Sequence, residues 1–272
     1  MQARVQAQAK AQAKAQEDGG ARQETAPRSS SLHGLRLGAE DTGMLALASI
    51  GTRSAIRRGR QIYEEGDAAD HWFELLGGMA YTVKRLRDGR RQIAAFLQPG
   101  DFFGFETAAR YGLAAEALTD VVVMRYSRQR TEMLALIHPT LGRRLREVAY
   151  ESLGAAQSRL VMLGRMTAPE RIAQFLLERL ERSADGQTIE LVMSRAQISD
   201  YLGLTIETIS RSMGAFKRAG LISLSGPHSV RVLDRGALGA LAAGTDAVRS
   251  RRGKIGCAAR PGLTMAIRWI RA

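Results

Sequence analysis

The sequence predicts an α+β chain: an N-terminal antiparallel β-roll of the jelly-roll kind, a long helix, and a C-terminal winged helix-turn-helix. Three observations carry this. Turn signals recur about every eleven residues between 50 and 130, which suits short antiparallel strands. Residues 131–164 lack strand signals and carry apolar side chains at steps of four and three. Ser194 to Gly220 reads as two capped helices joined by a tight turn at Gly203.

Taken in chain order, residues 1–40 open on an Ala/Gln/Lys repeat and continue through Gly, Ser and Pro without apolar periodicity, so a disordered extension is expected. Residues 41–130 are assigned to the roll. Its turns fall at Gly59, Glu65-Gly66-Asp67, Gly77-Gly78, Asp88-Gly89 and Pro99-Gly100-Asp101. Between them, Met79 to Leu86 alternates imperfectly, whereas Gln92 to Leu97 is nearly all apolar. Residues 131–166 are expected to form one helix, with Pro139 near its start. Ala149, Leu153, Ala156, Leu160 and Leu163 make a coiled-coil seam, flanked by Leu141, Leu145 and Val148. A dimer interface and an amphipathic helix packed on its own domain both fit that pattern. Thr167 and Glu170 form a capping box that starts the next helix, placing a domain boundary before residue 167. The helix-turn-helix domain is assigned to 167–240 and a basic tail to 241–272.

Within that domain, Ser194 and Gln197 form a capping box, Thr205 caps the second helix and Gly220 ends it. At about 100° per residue, Ile209, Met213 and Phe216 fall on one face, while Ile206, Glu207, Ser210, Arg211, Gly214 and Arg218 fall on the other. The polar face has the chemistry of major-groove readout. Arg211 can donate twice to guanine O6 and N7, Glu207 can accept from a cytosine or adenine amino group, and Ser210 can meet thymine or phosphate. Lys217 and Arg218 suit the backbone, with Ser194, Thr205 and Thr208 in supporting places. A surface Glu207–Arg211 pair at i, i+4 is compatible with this reading. Leu221–Leu224, a Ser225-Gly226-Pro227-His228 turn and Ser229–Leu233 read as a hairpin, either a wing or a cover for the helix core.

Composition bounds the alternatives. The net charge is +13, with a sequence pI near 10.7, which favours a polyanionic partner. Residues 245–272 hold seven basic side chains against one acidic, so the tail accounts for much of the excess. The single cysteine, Cys257, excludes a disulfide framework and a cluster ligated by several thiolates. His33, His71, His138 and His228 lack metal-ligand spacing. No signal-like or membrane-spanning apolar run is found, so a cytoplasmic protein without membrane contact is expected. No nucleophile-base pair, metal set or phosphate loop suggests an enzyme.

From about residue 45 to 240 the chain resembles the CRP/FNR superfamily of dimeric transcription regulators, and Y-L-G-L-T-I-E-T-I-S-R is close to the E-x-x-S-R motif of its FNR and FixK branch. The resemblance implies a cyclic-nucleotide-binding-domain-like roll, a dimerisation helix, and Glu207, Ser210 and Arg211 reading half-sites of the TTGAT type, as in TTGAT-N4-ATCAA. It also implies double-stranded DNA, RNA polymerase and a second copy of the chain as partners, a mainly activating role, and low-oxygen or nitrogen-fixation gene control. Ile206 stands where the CRP branch has an Arg. Gly104-Phe105-Glu106 is not followed by the Arg-Ser of cyclic-AMP binders, with Arg110 as the only near substitute, and the cysteines of an FNR-type iron-sulfur cluster are absent. No cofactor is therefore expected. A small-molecule-gated regulator of the CRP type remains the alternative.

Overall fold

The computed structural model describes residues 42–244 apart from Pro227; the expectations for residues 1–40, for Cys257 and for most of the basic tail lie outside the described residues. A helix, α1 (Thr42–Ile50), precedes eight strands: β1 (Thr52–Ile56), β2 (Gln61–Tyr63), β3 (His71–Gly77), β4 (Ala80–Arg85), β5 (Arg91–Leu97), β6 (Phe102–Phe103), β7 (Ala114–Ala117) and β8 (Val121–Ser127). They form two antiparallel four-stranded sheets, ordered β1-β8-β3-β6 and β2-β7-β4-β5. Leu75, Leu97, Phe103, Ala115 and Val123 pack between the sheets with Tyr63, Phe73 and Tyr111. The turn glycines are where the sequence put them. At Gly78, φ is +78° and an added Cβ would lie 2.1 Å from the Asp120 carbonyl oxygen, so only glycine fits.

The second sheet is buried on both faces. On β4 and β5, Ala80 and Leu97 point into the roll, whereas Tyr81, Val83, Ile93 and Phe96 join a cluster that continues into the C-terminal half of the chain. The apolar run at 92–97 follows from this, because a strand covered on both sides has no solvent face to make polar. The register shift at Thr82/Val83 leaves Ala94 as an extra residue on β5, so Ile93 and Phe96, three positions apart, both reach the face that Tyr81 and Val83 share.

Where one helix over 131–166 was expected, the chain forms two: α2 (Arg128–Ile137) and α3 (Pro139–Arg165). His138 takes an extended backbone between them, because a residue preceding proline disfavours the helical region. Leu141 is fully buried with Leu47 of α1 and Trp72 and Tyr126 of the roll, and Leu145 packs against the same cluster. The predicted flanking stripe is thus the face by which α3 holds its own roll. Further along, Ala149, Leu153, Ala156 and Leu160 are exposed, Leu153 at 55% and Leu160 at 75%.

The rest comprises α4 (Ala168–Glu181), β9 (Thr188–Glu190), α5 (Arg195–Leu202), α6 (Ile206–Arg218), β10 (Ile222–Leu224), β11 (Ser229–Val232) and α7 (Arg235–Ala242). The Glu170 carboxylate accepts from the Thr167 N–H at 2.8 Å, completing one arm of the expected capping box. Two features differ from the sequence reading. The hairpin gains a third strand, since β9 pairs with β11, and α7 runs two residues past the boundary set at 240. β9 is only three residues long, too short for an alternating pattern to stand out.

Candidate nucleic-acid interface

Local capping fixes α5 and α6. Ser194 Oγ accepts from the Gln197 N–H at 3.2 Å, and Gln197 Oε1 accepts from the Ser194 N–H at 2.8 Å. Gly203 ends α5 in the left-handed region at φ 62°, which a residue with a Cβ enters only at a cost. Thr205 Oγ1 then accepts from the Thr208 N–H at 3.2 Å, starting α6. Ser194, Thr205 and Thr208 are therefore engaged in holding the two helices.

On α6, Ile209, Met213 and Phe216 are buried in the shared cluster, together with Ile198 and Leu202 of α5. Glu207, Ser210, Arg211, Lys217 and Arg218 are exposed, as is Ile206 at 43%. Hydrogen bonds from its own N–H and from Thr205, with the nearby charge of Arg211, hold the Glu207 carboxyl below its ordinary value, so at neutral pH it is an acceptor only. No ion pair among the described residues joins Glu207 to Arg211, leaving the guanidinium fork available. The face thus presents a bidentate donor, an anionic acceptor and a hydroxyl within one helical turn, the set needed to discriminate base edges. The hairpin is a cover as well as a candidate wing: Ile222, Val230 and Val232 face the core beneath α6.

The reading head is clamped from outside. Arg171 donates to the Leu163, Met166 and Leu202 carbonyls at 2.9, 2.9 and 3.0 Å, tying the end of α3 to the end of α5. Leu163 is only partly exposed and lies near Gly203, so the last residue of the predicted seam turns toward the head. Tyr201 of α5 is a meeting point. Its ring lies 4.9 Å from Phe96 of β5 and 5.6 Å from Phe175 of α4, with the Arg159 guanidinium of α3 at 3.4 Å above it. Beside it, Arg91 of β5 pairs with Asp200 at 2.6 Å, and Arg182 pairs with both oxygens of Asp101. Burial pulls the Arg91 guanidinium down, but the bond and charge of Asp200 outweigh it and raise it overall. Apart from Leu163 in the seam and Asp101 and Gly203 in turns, these residues were not singled out from sequence. Arg91 and Asp200 are 109 positions apart, beyond any local pattern.

The roll's interior and the segment 104–112 bear on the expectation that no cofactor is held. The interior is filled by stacked rings, with Tyr63 3.9 Å from Tyr111 and 5.3 Å from Phe73. Burial pushes both tyrosines above their ordinary value, so they stay neutral. Arg110 donates to the Gly66 carbonyl at 2.6 Å, and Glu106 accepts from the Gly112 N–H at 3.0 Å. Both polar groups thus make one contact with the roll's own backbone. His228 Nδ1 lies 2.9 Å from the Leu191 carbonyl, and among the described residues no group of three or more His, Cys, Asp or Glu is placed to hold a metal. No helix among them is long and apolar enough to cross a membrane.

Comparisons with known proteins agree with this layout. Residues 53–138 match the cyclic nucleotide-binding domain model and residues 170–241 the Crp-like helix-turn-helix domain model. The chain is 38% identical to the nitrogen fixation regulation protein FixK of Azorhizobium caulinodans, over 71% of this chain and 79% of that one. It is 33% identical to the transcriptional activator protein FnrL of Cereibacter sphaeroides, over 70% of this chain and 80% of the other. The structure of FixK2 from Bradyrhizobium japonicum superposes with a TM-score of 0.68 and 38% identity, covering 71% of this chain and 97% of that one. With a roll, a long helix and a capped helix-turn-helix in the same order, the chain belongs to the CRP/FNR family of transcription regulators and is similar to its FixK members.

Proposed function

We propose that the chain is a homodimeric transcription regulator, chiefly an activator, that reads TTGAT-N4-ATCAA-like palindromes without a resident cofactor. The observation that carries this is the exposed Glu207, Ser210 and Arg211 face of α6, rigidly backed by Ile209, Met213 and Phe216. Arg211 reads the guanine of each half-site, Glu207 accepts from an amino group, Ser210 contacts a neighbouring thymine or phosphate, and Lys217 and Arg218 meet the backbone. Ile206 places no guanidinium at the position that goes with CRP-type sites.

Dimerisation runs along α3. Ala149, Leu153, Ala156 and Leu160 lie exposed on one stripe beside the buried Leu141 face, and small residues at two of the four positions let a partner helix approach closely. Two recognition helices then enter successive major grooves about 34 Å apart. Contact with RNA polymerase in the cytoplasm completes the activating role, and the names of the FixK relatives favour a place in nitrogen-fixation control. The filled roll supports cofactor-independent binding, and the similarity to regulators rather than enzymes favours a non-catalytic role.

A mobility-shift titration of the purified chain, with no ligand added, compares TTGAT-N4-ATCAA with a TGTGA-type palindrome. At least about tenfold preference for the first is expected, equivalent to roughly 1.4 kcal/mol. Equal binding to both, or binding that emerges only with cyclic AMP, would favour the ligand-gated reading instead.

A further inference from the structure

The reading head is joined covalently to α3 through Met166 and Thr167, where Arg171 also ties it to Leu163, and it is held at three places further from that link. The outer face of the roll's second sheet supplies Phe96 against Tyr201, Gln92 Nε2 donating to the Tyr201 carbonyl at 3.2 Å, and Arg91 paired with Asp200. Arg159 of α3 covers the Tyr201 ring and donates to the same carbonyl at 3.3 Å. Arg182, which caps the end of α4, pairs with Asp101 in the turn that follows β5. The side chains of the first pair are 36% and 24% exposed, so solvent screens them only in part. These contacts oppose rotation of the head about the Met166–Thr167 link, and α6 follows Tyr201 by only five residues.

We propose that the Arg91–Asp200 pair and the Tyr201 pocket are a positioning device: they fix the recognition helix relative to α3 and so set which half-site spacing the protein accepts. The inference rests on the dimer along α3. With that axis fixed, the distance and tilt between two recognition helices depend on how each head is seated on its own roll and its own α3. A free head would tolerate several spacings, and a seated head selects one. The β-roll then acts as a rigid shoulder for the head, which gives it a task that needs no ligand.

The test uses the full chain and duplexes carrying TTGAT half-sites separated by three, four or five base pairs. Arg91→Asp, Asp200→Arg and the combined charge swap are compared with the wild type by mobility shift, with sedimentation to follow dimer formation. The wild type is expected to favour one spacing by about tenfold, a coupling of the size two contacting groups can show. Arg91→Asp should flatten that preference to within about threefold while the dimer persists, and the charge swap should restore it. An unchanged spacing profile in Arg91→Asp, or a flattened one that the swap does not restore, would overturn the proposal. Should Arg91→Asp lose its folded circular-dichroism spectrum, Arg91→Gln takes its place with the same two outcomes. A wild type that binds none of the three duplexes would overturn the dimeric palindrome reading, and this inference with it; binding with an unaltered profile would overturn this inference alone.

Discussion

On α6 a single guanidinium bears the sharpest consequence. Arg211→Ala removes the bidentate donor from an exposed face without disturbing Ile209, Met213 or Phe216 beneath it, so folding should be spared. Binding is expected to weaken by about 1 to 3 kcal/mol per half-site and to lose selectivity at the guanine, which a titration against guanine-substituted duplexes would detect. Unchanged selectivity at that base would remove Arg211 from the reading face. A second residue bears on pH. Glu74 is buried in β3, where the Tyr126 hydroxyl donates to it at 2.8 Å; burial raises its carboxyl above the ordinary 4.5, and the tyrosine partly offsets this. A group that holds its proton more tightly when folded stabilises the fold in acid, and that contribution fades as pH rises through 4.5 and then through the raised folded value. Glu74→Gln should therefore raise Tm at about pH 8 and give no advantage at about pH 4, as thermal melts across that range would reveal. A gain that is larger in acid would contradict the assignment of the buried charge.

Among the elements, α3 has two faces that do different work. Leu141, fully buried with Trp72 and Tyr126, stabilises the fold by about 2 kcal/mol on burial of a leucine side chain. Leu160, three-quarters exposed, contributes little of that kind in a single chain. Leu160→Glu is therefore expected to leave the melting temperature of the roll nearly unchanged while weakening the dimer by more than about tenfold in sedimentation. An unaltered dimer would move the interface away from this stripe. The exposed stripe of Ala149, Leu153, Ala156 and Leu160 was legible because helical periodicity is a local signal, and so were the caps at Ser194 and Thr205. The break at His138 was legible only in part: Pro139 was visible, but a proline tolerated in the first turn of a helix does not announce whether a helix also precedes it. Leu163 fits the seam by spacing and turns to Gly203 because the head, not the period, fills the space beside it.

For the whole molecule, the order of parts and the exposed polar face of α6 could be taken from sequence, whereas their mutual seating could not. The nearly all-apolar run at 92–97 read as one strand of a half-buried roll, and nothing local announced that α4 and α5 cover its second face. Arg91 reads as a surface charge on a strand and Asp200 as a polar position in a helix, and only the fold brings them to 2.6 Å. The missing Arg-Ser was visible in the sequence, but the stacked rings of the roll's interior were not, because they come from four separate segments at Tyr63, Phe73, Phe103 and Tyr111. The molecule that results is a helix-turn-helix domain seated on a roll packed with aromatic rings, with an exposed apolar stripe along α3. The most direct test of this account is the equilibrium affinity of the purified chain, without added ligand, for TTGAT-N4-ATCAA against the same duplex with the guanine of each half-site replaced. The account predicts binding of the intact palindrome and a loss of roughly 2 to 6 kcal/mol over the two half-sites on replacement; equal affinity for the two duplexes, or no binding until a cyclic nucleotide is supplied, would contradict it.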